Sequence, residues 1–201
     1  MKRYRLKHHL KIQMKNVKSD QATKKSHRRK EILSWVWAIA LVLILRQFFV
    51  QAFVIPSESM KPTLKIHDRL LANKIIYKIR QPQRWEVIIF KYPEDPKKYF
   101  VKRLVGLPGE SLLIKDGHVY IDGKIMEQPR NIPIPLYYYC EGASSYGINK
   151  EVKIPENAYY ALGDNSINSR DSRYWGFIPS KNLVGKALFI YWPPWRMGII
   201  R

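Results

Sequence analysis

The chain has 201 residues, with 36 Lys or Arg against 16 Asp or Glu, a formal charge of +20. An apolar fraction of 46% with 13% aromatics excludes a largely disordered chain, and the length suits one modest domain plus an attachment segment. The single cysteine, Cys140, excludes an internal disulfide, a CxxC redox pair and any multi-cysteine metal site. No GxGxxG, GxxxxGKS/T or HExxH string supports nucleotide or zinc chemistry.

Residues 1–30 hold 12 of the basic residues and one acid, Asp20, which leaves 24 against 15 for the rest. This first block has no sustained apolar period and reads as a solvated basic arm, suited to nucleic acid or anionic lipid. The segment after it favours lipid. Ile32 to Leu45 reads ILSWVWAIALVLIL, with only Ser34 polar, and after Arg46 and Gln47 the apolar run continues to Ile55. A helix over about 32–50 would be about 29 Å long, close to the roughly 30 Å of a bilayer core. The expected organisation is therefore a cytoplasmic arm over 1–30, a single transmembrane anchor over 31–51 and an extracytoplasmic domain over 52–201. The side follows from the basic flank and the positive-inside rule. Two other readings compete for the apolar run: a buried core helix, and an export signal cut after Ala52 in Val50-Gln51-Ala52.

Beyond the apolar run the chain reads as antiparallel β. Strands are expected at Arg69–Tyr77, Trp85–Lys91, Tyr99–Val105, Ser111–Lys115, His118–Ile121, Tyr159–Leu162 and Val184–Tyr191, all rich in Val, Ile, Tyr and Phe. Asp116-Gly117 and Asp122-Gly123 are two-residue hairpin signals. No long helical period follows residue 55. Gln128–Pro155, with four prolines, reads as an irregular excursion.

Three strings carry candidate chemistry. In Phe53-Val-Ile-Pro-Ser-Glu-Ser-Met-Lys-Pro-Thr-Leu64 two serines flank Glu58 on a loop stiffened by Pro56 and Pro62. A serine nucleophile needs a base. His67 and His118 are the histidines outside the arm, but His67 and Asp68 are adjacent and would face opposite sides of a strand. Lys102 is the other candidate. In Tyr99-Phe-Val-Lys-Arg-Leu-Val-Gly106 it shares a face with Phe100 and Leu104, and burial among apolar neighbours can lower a lysine from about 10.4 to about 5–6. A neutral lysine is a general base. The plainer readings are turn hydrogen bonds for the serines and a snorkelling lysine on an edge strand. The third string, ALGDNSINSRDSRYWGFIP over 161–179, allows an Asp171–Arg173 pair and places Ser169, able to bond an amine, beside it.

Taken in order, FVIPSESMKPTL, HDRLLANK, YFVKRLVGLPGE and ALGDNSINSRDSRYWGFIP resemble type I signal peptidase, the membrane-bound Ser–Lys protease of bacteria and plastids. The resemblance covers most of 32–195, and Glu58 between the serines is similar to cyanobacterial and chloroplast members. It implies an antiparallel β catalytic domain with a variable insertion, near 114–156 here, behind an N-terminal transmembrane helix. It implies removal of signal peptides after small residues at −1 and −3. By position, Ser59 matches the nucleophile and Lys102 the general base. Ser57 and the Ser59 N–H match the oxyanion hole. Ser169 matches the serine that orients the lysine, and Asp171 and Arg173 match a supporting pair. Phe53, Ile55, Met60, Leu64 and Val101 match the pocket lining. The resemblance implies no metal and no cofactor. Its implied partners are exported preproteins, membrane lipid and nearby export machinery, with no nucleic acid. The host membrane would be a cell or thylakoid membrane. The sequence departs from the pattern at His67, where Gly is common, and at Ser166-Ile167, which replace a frequent Arg-Asp pair. Two other function classes stay open on sequence: a membrane-tethered basic protein binding lipid or nucleic acid, and a self-cleaving Ser–Lys repressor.

Overall fold

The computed structural model describes residues 30–43, 49–127, 129, 137 and 146–201. The arm up to residue 29, the Arg46 interruption and most of the 128–155 excursion, Cys140 included, lie outside the described residues. The chain divides between Gln47 and Phe48 into two units.

The first unit is described as helix α1 over 30–43. Its large apolar side chains are exposed, Trp35 and Trp37 at 70% each. At about 1.5 Å per residue it is about 21 Å long, and no helix of the described residues is long and apolar enough to cross a membrane.

The second unit is mainly antiparallel β. Its strands are β1 (Val50–Val54), β2 (Arg69–Asn73), β3 (Val87–Lys91), β4 (Tyr99–Gly106), β5 (Ser111–Lys115), β6 (His118–Ile121), β7 (Lys124–Ile125), β8 (Val152–Lys153), β9 (Ala158–Leu162), β10 (Ile178–Pro179), β11 (Leu183–Trp192) and β12 (Gly198–Ile199). The helices are one turn each, α2 (Ile76–Ile79) and α3 (Ser172–Trp175). The larger sheet runs β1-β2-β11-β3-β4-β9-β10, with β12 on β11; the smaller runs β7-β6-β5-β8. The positive φ at Asp116, Gly117, Asp122 and Gly123 closes the β5–β6 and β6–β7 hairpins, as the two Asp-Gly pairs predict.

Strand β3 explains where the core sits. Its run VIIF is buried on both faces. Val87 and Ile89 pack with Ile55, Met60, Leu64 and Leu70, while Ile88 and Phe90 pack with Leu104, Tyr159 and Trp175. A strand apolar at successive positions belongs in the middle of a sheet with cover on both sides. A third cluster, with Leu112, Ile114, Tyr160 and Leu162, joins the smaller sheet to β9.

Three expectations change. Val50 and Gln51, read as the end of the anchor, open β1, which pairs with β2 from Val50↔Asn73 to Val54↔Arg69. The strand expected to reach Tyr77 stops at Asn73, whose Oδ1 accepts from the N–H groups of Ile75 and Ile76 at 2.9 and 3.1 Å and turns the chain into α2. The strand expected from Trp85 starts two residues later, because Trp85 holds φ +71°. Strands β7, β8, β10 and β12, two residues each, are too short for a period-two signal.

His67 occupies a left-handed position, φ +68°, and donates its N–H to Ile55 O at 2.9 Å. The turn that glycine commonly makes is therefore kept with a side chain attached. We expect His67→Gly to retain the wild-type melting temperature or exceed it, and the β-branched His67→Val to lose about 1–2 kcal/mol by thermal unfolding. Equal melting of the two variants would contradict this account.

Candidate active site

The serine loop joins β1 to β2 and is pinned from both sides. Met60 and Leu64 are buried in the core beneath it. Above them the loop closes on itself through Lys61 N–H to Glu58 O at 3.0 Å and Leu64 N–H to Met60 O at 2.8 Å. A second segment, after β9, grips the same loop: Asn165 N–H donates to Ser59 O at 3.0 Å and Asn165 Nδ2 to Glu58 O at 3.2 Å. Gly163 makes that approach possible. A Cβ there would lie 2.1 Å from Ser169 Oγ and 2.5 Å from Ser59 O, so this is a glycine of close contact.

Lys102 reaches the serine from β4, 43 positions away in sequence. Its Nζ lies 2.5 Å from Ser59 Oγ. Ser59 and Lys102 are 6% and 4% exposed. Burial pushes the Lys102 amine down to about 8; Asp171 and Asp164 pull it back up, and Arg173 adds to the lowering. Ser57 Oγ lies 3.3 Å from Ser59 Oγ. A hydroxyl against an amine that gives up its proton more readily than an exposed lysine, with a second hydroxyl alongside, is an arrangement able to generate a serine nucleophile.

Two buried ion pairs frame the amine. Asp171 caps α3, accepting from Arg173 N–H at 3.2 Å, and takes the Arg173 guanidinium in a fork at 2.8 Å to each oxygen. Its Oδ2 also accepts from Gly163 N–H at 3.0 Å. Arg173 further donates to Ser166 Oγ at 3.1 Å and Ser166 O at 2.7 Å, so the residue standing in place of a frequent Arg is a buried acceptor. Arg103, alternating with Lys102 on β4, forks onto Asp164 at 2.7 and 2.6 Å and donates to Trp85 O at 2.7 Å. Asp164 also accepts from Thr63 Oγ1 on the serine loop at 2.5 Å. The Arg103–Asp164 pair, Gly163 and Asn165 escape a reading of the sequence. Their roles need partners up to 107 positions apart, and the one available signal was the polar density of residues 163–173.

Beside the serine lies a groove of about 530 Å³ whose wall includes Phe53, Ile55, Met60 and Val101. Leu64 is not among the groove's lining residues and sits in the core at 0% exposure, packed with Ile55 and Met60. Ser169 is buried near Gly163, and its Oγ makes no hydrogen bond among the described residues. His67 is on the exposed turn before β2, and His118 lies on β6 of the smaller sheet. No metal-ligating cluster occurs among the described residues.

The fold is a mainly antiparallel β-sheet that sets a buried lysine amine against a serine hydroxyl beside an apolar groove. Residues 28–192 match the family described as signal peptidase, peptidase S26. The chain belongs to this family and is a peptidase. It is 40% identical over 171 residues to a probable signal peptidase I-2 of Synechocystis sp., covering 82% of this chain and 73% of that protein. It is 37% identical to a signal peptidase I of Leptolyngbya laminosa, covering 80% of this chain and 78% of that one. Against the Bacillus caldolyticus signal peptidase I the identity is 33%, over 85% of this chain and 95% of that one.

The lowered amine has a consequence for stability. A folded value of about 8 against the ordinary 10.5 means that the folded chain holds fewer protons than the unfolded chain between those limits. Stability therefore rises as pH climbs from about 8 toward 10.5, and below about 8 the full cost of burying the ammonium is present. At about 1.36 kcal/mol per pKa unit that cost is on the order of 3 kcal/mol. We expect Lys102→Met to be more stable than wild type by up to that amount at pH 7 and by less at pH 10, measured by denaturant unfolding. A Met variant weaker than wild type at pH 7 would contradict it.

Proposed function

We propose that the protein is a membrane-anchored serine endopeptidase that removes N-terminal signal peptides from exported preproteins, with Ser59 as nucleophile and Lys102 as general base. The observation that carries this reading is the 2.5 Å approach of the buried Lys102 Nζ to Ser59 Oγ. Family membership supports the substrate class.

Neutral Lys102 takes the Ser59 proton as Oγ attacks the scissile carbonyl. The tetrahedral oxyanion is held by the Ser59 N–H and the Ser57 hydroxyl. As the C–N bond breaks, the ammonium of Lys102 gives its proton to the leaving amine, and the mature protein departs. Lys102, neutral again, takes a proton from water, whose oxygen attacks the Ser59 ester. The signal peptide leaves as a carboxylic acid, and Ser59 regains its proton. Every proton is accounted for by Ser59, Lys102 and water. Asp171 with Arg173 and Asp164 with Arg103 hold the amine's surroundings fixed, so little rearrangement accompanies the charge change. Ser169, beside Gly163, is available to bond the amine as it turns between ester and water. The groove along Phe53, Ile55, Met60 and Val101 accepts small substrate side chains and excludes large ones.

The membrane reading rests on the apolar helix over 30–43 with its exposed tryptophans and on the basic arm before it. In this arrangement the arm is cytoplasmic and lies against anionic lipid, the catalytic domain is extracytoplasmic, and export machinery stands nearby. Confinement to one surface raises the effective concentration of enzyme and substrate.

Detergent-solubilised full-length protein, mixed with a precursor carrying Ala at −3 and −1, should release a product whose mass maps the cut directly after the −1 residue. Ser59→Ala and Lys102→Arg should abolish the cut while leaving the fold intact, since Arg does not act as a neutral base. Ser57→Ala should slow it by roughly 10²–10³. Full activity of Lys102→Arg would end the assignment, and a loss in His67→Ala equal to that in Ser59→Ala would point to a Ser–His site instead.

The pH profile supplies a separate check. Because Lys102 must be neutral, kcat/KM should climb with pH through a midpoint of about 8 and level off above it. A rate that falls across this interval would contradict the role of the amine.

A further inference from the structure

The charge lining the groove is one-sided. Among its described lining residues two carry a formal charge, Lys102 at the floor and Arg170 at the rim, and none is acidic. Arg170 belongs to the loop between β9 and α3, and Asn168 beside it completes the polar side of a groove that is otherwise apolar. The Arg170 side chain is 66% exposed. Its ion-pair partner Glu94 is itself 55% exposed and stands 3.6 Å away. An exposed pair at that distance contributes little and gives up its partner at small cost, and an arginine offers a planar fork that fits a carboxylate.

We propose that Arg170 is a specificity-determining residue that favours substrates with an Asp or Glu side chain next to the cut and disfavours those with Lys or Arg there. This rests on the reading of the groove as the peptide site. A substrate carboxylate entering the groove meets a guanidinium able to leave Glu94 for it. A substrate cation meets Arg170 and, during acylation, the ammonium of Lys102, and no acidic residue lines the groove to receive it. The effect is electrostatic, so it weakens with salt.

The test uses a family of precursors that share Ala at −3 and −1 and carry Glu, Gln or Lys at each other flanking position in turn. Each is cut by full-length wild type, Arg170→Ala and Arg170→Glu in detergent, and each rate is divided by that for the Gln precursor. At the position facing Arg170, wild type should prefer Glu over Lys by about threefold to tenfold. Arg170→Ala should flatten that ratio, Arg170→Glu should invert it, and added salt should shrink it in wild type. A Glu-to-Lys ratio that is the same in all three proteins at every position overturns the proposal while leaving the peptidase reading standing. Failure of wild type to cut the Gln precursor overturns both.

Discussion

A lysine amine held out of water against a serine hydroxyl is the constraint on which the rest of this structure depends. Removing an ammonium from solvent is costly, and that cost lowers the amine's hold on its proton to about 8, so that it is neutral above that pH. The proposed chemistry needs that same neutrality. On that proposal the site gives up stability for reactivity at the buried position of Lys102, between Phe100 and Leu104 on one face of β4.

Keeping the amine buried but not permanently protonated requires control of the charges around it. Two carboxylates stand close enough to Lys102 to raise its proton affinity. Each is already engaged: Asp171 in a fork with Arg173, and Asp164 in a fork with Arg103. A carboxylate neutralised by its own guanidinium exerts a weaker pull on a third group than a free one would. Both pairs are fully buried, and breaking either would leave an uncompensated charge inside the sheet. They also do mechanical work. Asp164 ties Thr63 of the serine loop to β4, and Asp171 ties Gly163 to the turn that begins α3. The C-terminal segment adds a third tie, with Arg196 forked onto the buried Asp68 and donating to Thr63 O at 3.1 Å.

Much of the larger sheet was legible because its strands follow simple rules. Tyr99–Gly106 is rich in aromatic and β-branched residues and Val87–Phe90 is apolar at four successive positions, while in the smaller sheet the two Asp-Gly turns demand left-handed residues, which the structure supplies. The misreadings have local causes. Asn73 accepts two backbone bonds that end β2, and Val50 and Gln51, which read as the end of the apolar anchor, pair instead with Asn73 and Ala72 of β2. An apolar run says that a segment is covered; it does not say by what.

The sequence by itself determined the β character of the domain, the loop that presents Ser57 and Ser59, and the alternation that places Lys102 among large apolar neighbours, because these depend on residues adjacent along the chain. The tertiary structure alone decided that Lys102 meets Ser59 across 43 positions, that Arg103 serves Asp164, and that Leu64 turns into the core rather than the groove. Those outcomes depend on which surfaces the folded sheet brings together, and on the depth at which each charge then finds itself.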